Sequence, residues 1–177
     1  RYFIFVQLFG LVDNLGKNMK IASWDGGNIW YIQPYDCDTS ISLNNSGFQT
    51  FDCDIEVEKG VYNTTDSRLW QKVMLYMQDD LKTTYEYLRN NGVNIDTMYK
   101  YLFEDQIDKI PEYYYNRDMQ TKYLDFDASY LYALHGNSKG LIMKWLKDRL
   151  LFLDSFYDYK TDMNDNVVIR VCNKDDV

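Results

Sequence analysis

The stretch Asp13–Asp38, DNLGKNMKIASWDGGNIWYIQPYDCD, is the part of the chain from which the fold is best predicted. Its first loop places an acid and an amide five positions apart, at Asp13 and Asn18. Two more acids, Asp36 and Asp38, stand at its end in the sequence YDCD. A segment of hairpin length separates the two polar groups, so they meet only if the chain folds back between them.

Two segments within this stretch, 19–24 and 28–35, are rich in residues that favour β-strands. An Asp-Gly dipeptide lies between them, and this is the strongest short-range signal of a β-hairpin. Asn18 precedes the first segment and Asp36 follows the second. Because a hairpin returns the chain to its starting point, we expect Asn18 and Asp36 to lie close together.

The order of these polar residues is typical of a magnesium–phosphate site. In sites of the protein-kinase type, an Asp accepts a hydroxyl proton and an Asn five positions later holds a metal ion. A later Asp then holds the metals that bridge the phosphates. Asp13, Asn18 and Asp36 stand in this order. A second interpretation stays open, in which Asp13 and Asn18 only close a turn, as Asx residues often do.

Two neighbours of these residues have alternative interpretations. Asp36 and Asp38 alternate where a strand ends, so only one of them faces Asn18, and the other would bind backbone amides of the following loop. Lys17 either contacts a phosphate or lies in solvent. A third function, hydrolysis by a metal that Asp36 and Asp38 hold, has less support because no further acid or histidine has ligand spacing.

Composition narrows the class of protein. The chain has 177 residues, of which 46% are hydrophobic, and a net charge of -8. This length corresponds to one domain or part of a larger protein, and the apolar content suffices for a core. The acidic balance and the absence of a basic stripe argue against binding to nucleic-acid backbones. Without an apolar run of about 18 residues or a cleavable signal pattern, neither a membrane span nor a signal peptide is predicted.

Cysteine and histidine usage argues against two further classes of site. The three cysteines, Cys37, Cys53 and Cys172, are widely spaced and form no Cys-x-x-Cys pair. A structural zinc site is therefore not expected. His135 is the single histidine, so a Ser-His-Asp mechanism would depend on one residue without a recognisable partner.

The remainder of the chain is predominantly helical in pattern. Asp66 or Ser67 would cap the longest amphipathic segment and Asp96 a shorter one. Helices are predicted over residues 2–11, 67–91, 97–104, 105–117, 127–134 and from Ser138 to about 156, with a loop over 39–66. Residues 2–11 are also short enough for a buried strand, but Gln7 and a stop at Gly10 favour the end of a helix. Pro111 is expected to mark a break or a new first turn within 105–117. A helical body with one small antiparallel hairpin at the site is an α+β fold.

Three segments together resemble the spore-coat CotH kinase family and related phage proteins. They are VDNLGKN, WYIQPYDCDTS and KWLKDRLLFLDSF, and the resemblance spans about residues 2–157. In the last segment, the matching residues are Trp145, Arg149, Leu153 and Asp154. Any one segment is a weak signal, whereas the three in this order are moderately specific.

The resemblance implies an atypical protein kinase that uses ATP and magnesium and phosphorylates Ser or Thr of a protein. Asp13 would orient the acceptor hydroxyl and act as base, with Lys17 as the second catalytic candidate. Asn18 and Asp36 would bind the cofactor and hold magnesium, with Asp38 as a further metal ligand, because magnesium prefers hard oxygen ligands. The implied fold is a kinase-like C-lobe over 1–160. The implied partners are a substrate protein or coat or virion proteins, and the implied location is a virion, a spore coat or the cytoplasm.

The chain also departs from a complete kinase. It contains neither G-x-G-x-x-G nor a strand-borne V-A-I-K lysine, so we expect an upstream lobe outside this fragment. Residues 161–177 read as the start of a following segment with β character. The sequence YDCDTSISLNNSG is similar to a version associated with phage structural proteins. The alternative is therefore a non-catalytic virion or tail module that keeps the fold.

Overall fold

The computed structural model describes residues 1–41, 43, 52–57, 67–114, 117 and 139–160. The elements that position the site within these ranges are five α-helices and two β-strands. They are α1 Tyr2–Phe9, β1 Met19–Ala22, β2 Tyr31–Pro34, α2 Arg68–Tyr76, α3 Gln78–Asn90, α4 Ile95–Tyr99 and α5 Lys139–Phe156. A π-helical turn at Lys100–Glu104 and a 3₁₀ turn at Ile107–Lys109 follow α4.

The predicted first helix is confirmed, and its end is set by glycine. Gly10 adopts the left-handed conformation, with φ 63° and ψ 36°, and the Leu11 N–H donates to the Val6 carbonyl at 3.0 Å. This is the usual hydrogen bond of a glycine-terminated helix. A Cβ at Gly10 would lie 3.2 Å from the Trp145 ring of α5, so glycine also permits the two helices to approach.

The predicted hairpin is confirmed, although its strands are shorter than expected. β1 and β2 pair antiparallel, with Met19 opposite Pro34 and Ala22 opposite Tyr31. The left-handed glycines Gly26 and Gly27 lie in the connection between the strands. Most strand residues are exposed, so the hairpin extends from the helical body and is not buried in it.

The predicted continuous helix over 67–91 is wrong, because the chain breaks at Met77. Met77 has φ -120° and ψ 27°, and it ends α2 and precedes α3. Asp79 and Asp80 lie in the first turn of α3, where carboxylates interact favourably with the helix dipole. The apolar periodicity continues across the break, which is why the sequence pattern indicated one helix.

The cap predicted for the next helix is wrong, whereas the break predicted in the segment after it is confirmed. Asn94, and not Asp96, caps α4, and its side-chain oxygen accepts a hydrogen bond from the Thr97 N–H at 2.9 Å. The segment 105–117 is interrupted at Ile110, which has φ -81° and ψ 117°. Ile110 precedes Pro111, and the proline ring disfavours the helical conformation of the residue before it.

The core lies between α1, α5 and the helices of the middle of the chain. α5 packs on both α1 and α4. Trp70 of α2 stacks on Tyr2 with ring centroids 6.0 Å apart. The fully buried residues of largest volume include Trp145, Arg149, Tyr85, Ile4, Leu11, Leu15, Leu146 and Leu153.

A buried arginine connects α5 to the beginning of the chain. The Arg149 guanidinium donates to the Gln7 carbonyl at 2.7 Å and to the carbonyls of Cys53 and Ile55 at 2.9 and 2.7 Å. An arginine carries five N–H donors in a fixed plane, so it can satisfy several buried carbonyls at once. Arg149 therefore holds the described segment 52–57 against α1 and α5.

The described residues form a mostly helical body with one two-stranded sheet, which is compatible with the predicted α+β class. None of the helices in the described part of the chain has both the length and the apolar character needed to cross a membrane. The predicted helix over 127–134, the Ser138 cap, the segment 161–177 and most of the loop 39–66 lie outside the described residues.

Candidate active site

The loop DNLGKN is a tight turn anchored from both sides. The Asp13 carbonyl accepts the N–H groups of Lys17 and Asn18, at 2.9 and 3.1 Å. The indole N–H of Trp70 donates to the Leu15 carbonyl at 2.5 Å, and Leu15 is fully buried. The contact between Trp70 of α2 and Leu15 therefore fixes the loop that carries Asp13 and Asn18 against the helical body.

The hairpin brings the end of the stretch back to this loop. The Tyr35 N–H donates to the Asn18 carbonyl at 3.1 Å, and the Asn18 Nδ2 donates to the Asp36 carbonyl at 3.3 Å. The expectation that Asn18 and Asp36 lie close together is therefore confirmed. Asn18 is only 7% exposed, so this contact lies at the buried base of the hairpin.

The two acids of YDCD point toward solvent. Asp36 and Asp38 are both exposed, whereas Cys37 between them is half-buried. Asp36 has φ 54°, a left-handed conformation that a non-glycine residue adopts infrequently. This bend marks where the chain leaves β2, and it lets the Asp36 carbonyl face Asn18 while the residue itself remains exposed.

Asp13 and Lys17 form an ion pair within the loop. The Asp13 Oδ2 lies 3.3 Å from the Lys17 Nζ. The side chain of Asp13 is largely buried, whereas that of Lys17 is 56% exposed. The lysine therefore covers one side of the carboxylate and remains accessible from solvent.

Asn14 is a residue that the sequence interpretation did not single out. It is 0% exposed, and its Nδ2 contacts the Asn18 carbonyl at 3.1 Å, the Tyr35 carbonyl at 3.0 Å and the Cys37 Sγ at 3.6 Å. The Tyr2 hydroxyl donates to the Asn14 carbonyl at 2.7 Å. The only signal in the sequence was its place inside DNLGKN, because spacing does not distinguish a buried Asn from a turn Asn.

The thiol next to the candidate site is kept protonated by its surroundings. Burial raises the pKa of the Cys37 thiol, and the charges of Asp36 and Asp38 raise it further, although the Asn14 side chain acts in the opposite direction. Nucleophilic cysteines need a lowered pKa. The surroundings of Cys37 therefore do not favour the thiolate form that a nucleophile needs.

The side chains at this place include the type of ligand atom that magnesium prefers. Asp36, Asp38 and the Asn18 amide offer hard oxygens, and the Asn18 Nδ2 is engaged by a carbonyl, so its Oδ1 would be the ligand atom. Among the described residues there is no cluster of three or more His, Cys, Asp or Glu that could hold a metal. Magnesium in kinases is bound by one or two carboxylates together with substrate phosphates, so a larger protein cluster is not required.

Comparison with known families agrees with these observations. A family model described as CotH kinase protein matches residues 1–153. The chain belongs to the CotH kinase family. No curated protein and no solved structure matches it. The CotH match covers the loop DNLGKN, the hairpin, YDCD and most of α5.

CotH membership confirms the family resemblance that the three sequence segments indicated. The match includes Trp145, Arg149 and Leu153, and the structure explains why α5 carries such residues. Trp145 packs on Gly10, and Arg149 binds the carbonyl of Gln7. These residues hold the CotH body together, whereas the predicted chemistry depends on the residues at the base of the hairpin.

Proposed function

We propose that this CotH chain is a module of a magnesium-dependent protein kinase, with the architecture of a kinase-like C-lobe. It transfers the terminal phosphoryl group of ATP to a Ser or Thr hydroxyl of a protein. The observation that carries the proposal is the hydrogen bond from the Asn18 Nδ2 to the Asp36 carbonyl, 3.3 Å long. It joins the loop with kinase-type spacing to the acid segment that follows the hairpin. Membership in the CotH kinase family supports the same reaction class.

Each residue of the proposed site has a defined task. Asp13 orients the acceptor hydroxyl and accepts its proton. Asn18 and Asp36 hold magnesium through oxygen, and Asp38 is the further ligand. Bound ATP and magnesium supply the phosphoryl group and neutralise charge on the phosphates. The protein supplies positioning and electrostatic stabilisation, which dominate catalysis of phosphoryl transfer.

Lys17 is the second catalytic candidate. Its ammonium lies 3.3 Å from the Asp13 carboxylate, so it holds the orientation of the base. Because more than half of its side chain is exposed, the ammonium also has the freedom to turn toward a phosphate. A lysine acts on phosphate as a point charge and needs no planar partner geometry.

A second candidate function is a non-catalytic interaction module in a coat or virion. The observation that favours it is the apolar surface of the hairpin. Trp24 is 73% and Trp30 62% exposed, and Ile29 is also exposed. Large exposed apolar patches often mark protein–protein contacts.

The experiment that separates these functions is a phosphorylation assay on the full-length protein. Radiolabelled ATP is supplied with magnesium or manganese and with casein as a test acceptor, and autophosphorylation is measured in parallel. We compare Asp13→Asn and Asp36→Asn with Asp158→Asn, which makes the same chemical change at an exposed residue outside the site. Asn also tolerates the left-handed conformation of Asp158, with φ 55°.

The proposed kinase predicts incorporation by the unsubstituted protein and by the Asp158→Asn variant. Loss of Asp13 should lower the rate about 10²–10⁴-fold, the usual contribution of a general base. Asp36→Asn should abolish incorporation and leave the thermal midpoint unchanged. Absence of incorporation with both metals, or equal incorporation by all variants, would overturn the kinase function and favour the interaction module.

A further inference from the structure

The side chain of Asn14 lies between the two halves of the proposed site. Its Nδ2 donates to the Asn18 carbonyl on one side and to the Tyr35 carbonyl on the other, at 3.1 and 3.0 Å. The Cys37 Sγ lies 3.6 Å from the same nitrogen. One amide nitrogen therefore contacts the residue at the end of the loop and two residues of the returning segment.

The chemistry of these contacts determines which way the amide faces. If the amide were turned by 180°, its Oδ1 would face the carbonyl oxygens of Asn18 and Tyr35 and would be repelled by both. Only an NH₂ group provides two hydrogens for two carbonyls from one atom. Neither Asp nor Leu, whose side chains have the same number and branching of heavy atoms, could do so.

The oxygen of the Asn14 side chain makes no hydrogen bond among the described residues. This Oδ1 atom is nevertheless buried. Burial of an amide oxygen without a donor is unfavourable. The stabilising contribution of Asn14 therefore comes from its nitrogen, which faces the base of the hairpin.

The backbone of Asn14 is itself held in place. The Tyr2 hydroxyl of α1 donates to the Asn14 carbonyl at 2.7 Å. The Asn18 carbonyl accepts both the Asn14 Nδ2 and the Tyr35 N–H, at 3.1 Å each. The contacts run from the helical body through Asn14 to the peptide groups next to Asp36.

We infer that Asn14 is a positioning residue that fixes the separation of Asn18 and Asp36 and thereby the affinity of the site for a divalent metal. This inference rests on the proposed function, because it concerns the same metal site. Asn14 itself touches neither metal nor substrate. Residues that orient metal ligands typically change metal affinity about 10–100-fold when they are substituted.

The test uses Asn14→Leu, which keeps the number and branching of the side-chain heavy atoms and removes both donors, and Asn14→Asp, which replaces the donor by an acceptor. The matched control is Tyr85→Phe, which removes a different buried hydrogen bond, from Tyr85 to Asp154 at 2.7 Å, outside the site. Three quantities are measured on the full-length proteins. They are the dissociation constant for Mn²⁺ by electron paramagnetic resonance with Mg²⁺ as competitor, the hydrogen-exchange rate of the Tyr35 amide, and the thermal midpoint.

We expect both Asn14 variants to bind Mn²⁺ about 10–100-fold more weakly and to exchange the Tyr35 amide faster, with a fall in midpoint no larger than that of Tyr85→Phe. The Tyr85→Phe control should keep the wild-type Mn²⁺ affinity. Unchanged exchange at Tyr35, or faster exchange with unchanged Mn²⁺ affinity, would overturn the inference, because the second result is what a merely structural residue gives. Absence of metal binding by the unsubstituted protein would refute the proposed function, and the inference with it. This outcome is seen without any variant, so it is distinguishable from failure of the inference alone.

Discussion

Two parts of the molecule are held together by different kinds of polar contact. The back is the buried cluster of Tyr85, Arg89 and Asp154, and the front is the hairpin with its base at Asn14 and Asn18. At the back, the Arg89 guanidinium of α3 binds both oxygens of Asp154 in α5, at 2.8 and 3.1 Å, and the Tyr85 hydroxyl donates to the same carboxylate at 2.7 Å. At the front, neutral side-chain amides of Asn14 and Asn18 hold the base of the hairpin. Charge therefore joins the helices, whereas uncharged hydrogen bonds hold the base of the hairpin.

Arg89 and Tyr85 keep their protonation states over the ordinary pH range. Burial alone would lower the pKa of Arg89, but the hydrogen bond and the negative charge of Asp154 outweigh it and raise that pKa above the usual value. Burial, together with Asp154, raises the pKa of Tyr85 as well. The Asp154 carboxylate is therefore contacted by one guanidinium cation and one neutral hydroxyl in the interior.

The largest expected effect is that of Asp154→Ala. It leaves the buried guanidinium of Arg89 without its counter-charge, and removal of one partner of a buried pair costs about 3–5 kcal/mol. Urea unfolding monitored by far-ultraviolet circular dichroism measures the loss. The control is Lys82→Ala, which removes an exposed ion pair to Asp158 and should lower the free energy of unfolding far less, because solvent screens exposed charges. An equal loss of unfolding free energy in the two variants would mean that the buried pair of Arg89 and Asp154 does not stabilise the packing of α3 on α5.

A smaller effect is expected for Gly10→Ala. The left-handed conformation costs an L-residue about 1–2 kcal/mol, and the new Cβ would lie 3.2 Å from the Trp145 ring. The matched control is Gly26→Ala in the hairpin, which has a similar backbone conformation and nothing within 4 Å of the new Cβ. The thermal midpoint should fall further for Gly10→Ala than for Gly26→Ala, and the difference between the two measures the effect of the contact between α1 and α5. An equal loss would show that this contact tolerates a methyl group.

The smallest effect is expected at the hairpin turn, when the pH is lowered. The Asp25 carboxylate accepts hydrogen bonds from the Ile29 N–H at 3.0 Å, the Ser23 hydroxyl at 2.8 Å and the Asn28 N–H at 3.1 Å. These bonds lower the pKa of Asp25 below 3.8. Because the folded pKa is the lower one, the stabilisation is complete above about pH 3.8 and is lost as the pH falls through the folded pKa.

An NMR titration of the Asn28 and Ile29 amides tests the direction of the Asp25 pKa shift. The midpoint should lie below 3.8, and α5 amides should not follow it. Asp25→Asn should abolish the transition, since an amide does not titrate in this range. A midpoint at or above 3.8 would mean that the ionised carboxylate of Asp25 does not stabilise the turn.

Sequence patterns located the hairpin because its signal is local. The Asp-Gly dipeptide requires only its immediate neighbours to form a turn, and the flanking strands pair with the register Met19 to Pro34. Helix breaks were harder to predict. Met77 interrupts an apolar periodicity that continues on both sides, so the pattern contains no sign of the break. At α4 the sequence pattern indicated Asp96 as the cap, whereas Asn94 caps the helix, because a capping residue is fixed only by where the backbone enters the helix.

The amino-acid sequence by itself determined the hairpin, the helices α1 and α5, and the order of acid and amide residues that led to the CotH kinase family. Only the tertiary structure decided that Asn14 is buried between Asn18 and Tyr35, and that Asp154 lies against Arg89. The physical reason is distance along the chain. Turns and caps depend on neighbouring residues, whereas the burial of an amide or a carboxylate depends on which distant segments pack around it.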